Sequence, residues 1–200
     1  MSQNLIHLLP GDIVMVTPQD MSSETIESFL KMQYYILTTK LYALHPNYKQ
    51  DGENPFPAKQ STRPKVQIVI DLTSTDLTNM DESYELDLKD HKVTIIAQTY
   101  YGIRHGFETL SQLIEYDEMT DALIMHEVAS IKDAPKYSHR GILIDTARNY
   151  ISVPIMKRVI DAMSYNKLNV LHWHITDTHS FPLGKNAIFF YLISSINGVD

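Results

Sequence analysis

Two patterns of hydrophobic and polar positions follow one another along this chain. In the first, short β-rich runs are interrupted by helical stripes. Residues 12–16 form a short β-rich run behind Pro10-Gly11. Ser22-Ser23-Glu24 offers a helix cap, and Ile26, Phe29, Leu30 and Tyr34 recur behind it at helical spacing. Residues 41–63 carry Pro46, Gly52, Pro55 and Pro57, with Pro64 just beyond, and predict a long exposed loop. Val66–Leu72, residues 83–88 and Lys92–Ala97 predict strands, the last two joined at Lys89-Asp90-His91. Ile103, Phe107, Leu110 and Ile114 mark one face of a helix, and residues 123–128 predict one more strand. Strands joined by close hairpins ahead of a helix predict an α+β domain with a mostly antiparallel sheet.

Residues 130–138, with Asp133-Ala134-Pro135, predict a domain boundary. The second pattern follows. Gly141-Ile142-Leu143-Ile144 is a continuous apolar run, as expected of a strand buried on both faces. Ser152 predicts a helix cap, with Pro154 in the first turn, where a missing N–H costs nothing. Ile155, Val159 and Met163 form one stripe, Met156 and Ile160 lie beside it, and Asn166 and Asn169 are stop candidates. Residues 171–176 predict a second strand. Strand, helix and strand at this spacing predict a right-handed parallel βαβ unit. From Gly184 to Asp200 the chain is apolar without periodicity.

Composition narrows the function classes. Apolar residues make up 44% and charged residues 20%, which excludes wholesale disorder. A net charge of −7 argues against nucleic acid or an anionic membrane as partner. The absence of cysteine removes thiol nucleophiles, thiolate metal sites and disulfides. Residues 1–10 lack a basic start and a long apolar run, so they do not read as a signal peptide.

In parallel α/β architectures ligands bind at the carboxyl ends of strands. Arg148 and Asp177 lie just past the two predicted strands of the βαβ unit. A guanidinium that donates in a fixed fork and a carboxylate that accepts can grip vicinal sugar hydroxyls. They can equally form a structural ion pair stapling two loops. His172 and His174 share one strand face, with Trp173 and Ile175 on the other. Zinc would need a third protein ligand, for which His179 is the only nearby histidine, so histidines hydrogen-bonded within a strand layer are expected instead. Asp81-Glu82 and Asp117-Glu118 are expected in solvated loops, without the apolar setting that raises a carboxyl pKa for acid catalysis.

The stretch from His139 through Arg148-Asn149-Tyr150, Asp161-Ala162-Met163, Asn166-Lys167-Leu168-Asn169 and His172-Trp173-His174-Ile175-Thr176-Asp177 to Ser180-Phe181-Pro182 resembles the family 20 glycoside hydrolases, the β-N-acetylhexosaminidases. Its details are most similar to the arthropod branch, whose members trim chitin fragments or N-glycans. Residues 99–113, from Thr99-Tyr100-Tyr101-Gly102 onward, look like the motif that closes the family's non-catalytic N-terminal domain. The resemblance implies an α/β chain: an N-terminal α+β domain over residues 1–137, then the start of a (β/α)8 catalytic barrel over residues 138–183, with a non-family tail over residues 184–200. It implies a substrate-assisted, retaining hydrolysis of terminal N-acetylhexosamine from oligosaccharides or glycoconjugates, an exception to the two-carboxylate scheme. No metal or cofactor is implied. Arg148 matches the arginine that holds the 3- and 4-hydroxyls, and Asp177 an aspartate of the same subsite. The family is usually secreted or lysosomal, and its full-length members point to a homodimer.

The departure is large. The family's acid/base Glu and its neighbouring Asp follow a Gly-Gly, and no Gly-Gly-Asp-Glu occurs in these 200 residues. The expectation is a chain truncated after the second barrel strand and inactive by itself. The alternative is a non-catalytic isoform acting as a sugar-binding remnant or assembly partner.

Overall fold

The computed structural model describes residues 4–16, 23–47 and 63–178. The chain divides into two compact units, Met1–Lys136 and Tyr137–Asp200.

The first unit is a five-stranded sheet with two helices, beside a smaller three-stranded sheet. In chain order the elements are β1 (Leu5–Leu8), a 3-10 turn at Pro10–Asp12, β2 (Ile13–Val16), α1 (Glu24–Leu44) and β3 (Val66–Leu72). Then come β4 (Tyr84–Lys89), β5 (Lys92–Ala97), α2 (Tyr100–Gln112), β6 (Glu115–Asp117), β7 (Ala122–His126) and β8 (Ala129–Asp133). The large sheet runs β2-β3-β5-β4-β8, and the small one β1-β7-β6.

The large sheet is mixed, which corrects the expectation of a mostly antiparallel one. β3 pairs in parallel with both β2 and β5, whereas β4 pairs antiparallel with β5 and β8. Only the β4–β5 link is a tight hairpin, and a tight hairpin enforces antiparallel pairing. α1 lies between β2 and β3, and β4 between β3 and β5, so each chain return permits parallel pairing. At the hairpin, Asp90 and His91 take φ of 52° and 59°. Positive φ at both central residues is the primed turn geometry that matches strand twist.

Period-two burial selects the inner face. Val66, Ile68 and Ile70 of β3, Leu86 and Leu88 of β4, and Val93 and Ile95 of β5 are buried with Ile26, Leu30, Leu37 and Leu41 of α1 and Ile103, Phe107 and Leu110 of α2. Each such side chain contributes roughly 1.5–3 kcal/mol by leaving water. Ser23 caps α1 by accepting from the Ile26 amide at 3.4 Å, and Thr99 caps α2 by accepting from the Gly102 amide at 3.5 Å. The helices are tied by Lys40 Nζ to Glu108 Oε2 at 2.6 Å.

Several boundaries move. α1 runs on through Leu44, so residues 41–44 are helix rather than loop, and His45 ends it buried, 3.2 Å from the Asp121 carbonyl. The rest of the expected loop, residues 48–62, lies outside the described residues. Residues 130–133 belong to β8, where the sequence predicts a boundary. β1 and β6 are too short to show a pattern; their strand identity comes from pairing with β7, distant in sequence from β1.

The second unit is β9 (Gly141–Asp145), α3 (Val153–Tyr165) and β10 (Val170–His174), with β9 and β10 parallel. Ser152 occupies the cap position, but its carbonyl, not its hydroxyl, does the work: it accepts from the Ile155 and Met156 amides at 3.0 and 3.1 Å. Ile144, Met156 and Met163 are buried, whereas Leu143 is 61% exposed and Ile155 half-exposed. The run at residues 141–144 is therefore covered on one face, not both.

The amino-terminal strand ends are stapled by side chains. Arg140 Nε donates to the Lys167 carbonyl at 2.9 Å, the Arg140 amide to Asn169 Oδ1 at 3.0 Å, and Asn169 Nδ2 to the Ser138 carbonyl at 2.8 Å. Gly141 is required there, because a Cβ would sit 2.7 Å from the Val170 carbonyl oxygen. Among the described residues, no helix is long and apolar enough to cross a membrane.

Candidate functional site

The parallel register of β9 and β10 aligns Leu143 with His172, Ile144 with Trp173 and Asp145 with His174. Alternation places Leu143, Asp145, His172 and His174 on one face and Ile144 and Trp173 on the other. Beyond the carboxyl ends, Arg148 Nε donates to Asp177 Oδ2 at 2.5 Å. The arginine side chain is 62% exposed and the carboxylate 11% exposed. The result is a shielded acceptor beside an exposed fork of donors.

The turn that carries Arg148 is tightly specified. Asp145 Oδ1 accepts from the amides of Ala147 at 2.9 Å and Arg148 at 3.1 Å. The buried Thr146 donates its amide to the His174 carbonyl at 3.0 Å, and its Oγ1 accepts from Trp173 Nε1 at 2.9 Å. Position along the chain alone does not single out Asp145, Thr146 or the Trp173 indole. An aspartate two and three residues ahead of the amides it binds is a recognisable turn signal, but the tryptophan bond depends on register between strands and leaves no local trace.

The other candidates fall elsewhere. Asp117 ends β6; its carboxylate accepts from Thr120 Oγ1 at 2.6 Å and the Met119 amide at 3.1 Å. Those bonds, the hydroxyl first, hold its pKa below the usual carboxylate range. A general acid needs the opposite shift. Thr120→Ala should raise the Asp117 pKa toward its ordinary value, read by NMR titration. A depressed carboxylate stabilises the fold above its unfolded-state pKa, and that contribution disappears as pH falls through the folded value. In the variant that contribution shrinks, so it should be less stable than the parent above this range, and the difference should vanish as pH falls through the parent's folded value; an unmoved titration would reject these bonds as the cause.

Glu82 is not in a solvated loop as expected. Its side chain is 15% exposed and faces the buried His105, Oε1 to Nε2 at 3.1 Å. Asp81 turns inward on its own loop, accepting from the Ser83 amide and hydroxyl. Among the described residues, no group of three His, Asp or Glu is placed to hold a metal ion. His179 and the segment from Gly184 lie outside the described residues.

A model described as "beta-acetyl hexosaminidase like" matches residues 1–113, and one for the glycosyl hydrolase family 20 catalytic domain matches residues 137–188. The chain belongs to glycoside hydrolase family 20.

Relatives agree on the family. The chitooligosaccharidolytic β-N-acetylglucosaminidase of Bombyx mori is 51% identical over 110 residues, 52% of this chain and 18% of that protein. The human β-hexosaminidase subunit beta is 34% identical over 185 residues, 91% of this chain and 33% of its own length. This family 20 chain thus spans 18% to 33% of the length of these relatives. Among solved structures, the Flavobacterium johnsoniae chitobiase superposes with a TM-score of 0.66 at 26% identity, over 92% of this chain and 28% of that one. The β-N-acetylhexosaminidase of Streptomyces coelicolor A3(2) gives 0.60 at 26% identity, over 92% and 34%. The mixed α/β architecture is that of family 20 structures, and the Arg148–Asp177 pair lies inside the segment matched to their catalytic domain.

Proposed function

We propose that this chain supplies the sugar-gripping part of a β-N-acetylhexosaminidase that removes terminal N-acetylhexosamine from oligosaccharides or glycoconjugates. The observation that carries it is the Arg148–Asp177 pair at the carboxyl ends of two adjacent parallel strands. As a staple such a pair gains little, because an ion pair with one largely exposed partner is worth roughly 0–1 kcal/mol. As a subsite it gains more: Arg148 donates to the 3- and 4-hydroxyls while Asp177 accepts.

In this reading residues 1–137 form the non-catalytic domain, and residues 138–183 open a (β/α)8 barrel as its first βαβ. Residues 184–200 form a tail in this reading, although the family match runs past residue 183 to residue 188. In the family's reaction the acetamido oxygen attacks the anomeric carbon as a protonated leaving oxygen departs. Water then opens the resulting oxazolinium ion with net retention. Arg148 and Asp177 hold the ring against that motion; the Asp that orients the acetamide and the Glu that moves the proton are not among these 200 residues.

The test exchanges residues 137–178 into the matching segment of the Streptomyces coelicolor enzyme. Arg148→Ala in that hybrid should lower kcat/KM on an aryl N-acetylglucosaminide at least about tenfold, because a charged hydrogen bond is worth roughly 1.5–3 kcal/mol. An unchanged kcat/KM would reject the assignment.

A further inference from the structure

We propose that Asp145 is a positioning residue, whose carboxylate fixes the turn from which Arg148 reaches Asp177. The inference rests on the reading of that pair as a sugar subsite. Three bonds converge on four residues. Asp145 Oδ1 takes the Ala147 and Arg148 amides, and Trp173 Nε1 reaches across from β10 to Thr146 Oγ1. The first two fix the backbone at Arg148 itself, and the third fixes the height of the turn over β10. The guanidinium then needs only side-chain rotation to meet Asp177, and less freedom is lost when a ligand binds. Asp145 acts here through the place of one oxygen, not through charge on Arg148: Oδ1 accepts from two backbone amides.

Two substitutions separate position from charge. Asp145→Asn keeps an acceptor at Oδ1 and removes the charge. Asp145→Glu keeps the charge and moves the acceptor one methylene outward. Position-based action predicts that Asn preserves the subsite and Glu does not; charge-based action predicts the reverse.

The experiment uses the full 200-residue chain, labelled with 15N. The Arg148 Nε–H resonance, assigned by its disappearance in Arg148→Lys, reports the bond to Asp177. Trp173 is the only tryptophan in the chain, so its emission reports folding of the unit, while its indole N–H reports the bond to Thr146. The expected result is an Arg148 resonance unmoved in Asp145→Asn and collapsed to the position of a solvated arginine in Asp145→Glu, with the Trp173 indole signal retained in both. An Arg148 resonance that survives in Glu, or is lost in Asn while the indole signal stands, overturns the proposal.

N-acetylglucosamine is then titrated into the same samples. The Glu variant should bind at least about tenfold more weakly than the parent, the loss of one charged hydrogen bond. If the parent shows no sugar-dependent shift at Arg148 while the Asn and Glu pattern holds, Asp145 still positions the turn and it is the subsite reading that falls.

Discussion

Purified polypeptide of residues 1–200 should turn over neither a chromogenic N-acetylglucosaminide nor chitobiose. On the reading proposed above, the family's acid/base Glu and its partner Asp are not among these residues; without that Glu nothing protonates the leaving oxygen, and general-acid help is worth about 10²–10⁴-fold by itself. With no partner Asp, the acetamide is neither oriented nor stabilised as charge develops, and losing one such electrostatic contact costs about 10²–10³-fold. Arg148 and Asp177 cannot compensate, because a grip that is equal in ground state and transition state leaves the barrier unchanged. Asp117 is no substitute: its hydrogen bonds hold it ionised, the wrong state for an acid. The measurement compares the polypeptide with the same residues joined in frame to the remaining barrel of the Bombyx mori relative, which should recover turnover. Activity in the 200-residue form that survives purification and disappears in Asp117→Asn, Glu118→Gln would overturn this account.

The largest stability effect is expected at Gly102. A Cβ built there would lie 2.2 Å from the Ser83 carbonyl oxygen and 2.7 Å from Ala97 Cβ. One obstacle is backbone and the other belongs to β5, so neither can swing aside as a long side chain would. α2 would have to lift from the sheet, and the buried Ile103 and Phe107 would lift with it. Overpacking of this kind typically costs about 1–3 kcal/mol, and a backbone obstacle places Gly102→Ala at the upper end. Gly11→Ala is the control, since among the described residues its Cβ meets Tyr42 Oη alone, at 3.6 Å. Urea denaturation should lower the midpoint for Gly102→Ala and leave Gly11→Ala near the parent. Equal midpoints would show that α2 can shift freely.

Elements with long or strict periodicity are visible in the sequence: α1, α2, α3, β3, β5 and the β9–β10 pair. What escapes depends on distant partners. β1 and β6 have too few residues to alternate convincingly, and β8 carries Lys132 and Asp133 in what looks like a polar linker. All three exist because β7 or β4 offers an open ladder. Parallel pairing of β3 escapes too, since it depends on how the chain returns and not on local pattern. At the site, position relative to strand ends already selects Arg148 and Asp177 as a pair. It leaves clamp and staple undecided; an exposed arginine beside a shielded carboxylate supports the clamp as proposed above. The side chains around them follow another rule: Asp145 announces its turn locally, whereas the Trp173–Thr146 bond arises only from register.

The Asp90-His91 hairpin also sets an order of events. Closing a chain loop costs entropy that grows with its length, and local pairings therefore form ahead of distant ones. β4 and β5 meet across two residues, with α2 following at once, so this portion can nucleate. β2 must find β3 across the entire stretch from Val16 to Val66. It is thus the last strand of the large sheet to be secured, and it lies at the edge. Until it docks, β3 presents a bare parallel ladder to other chains, the kind of edge through which proteins associate wrongly. The period between hairpin closure and β2 docking is when a nascent chain of this protein most needs dilution or a chaperone.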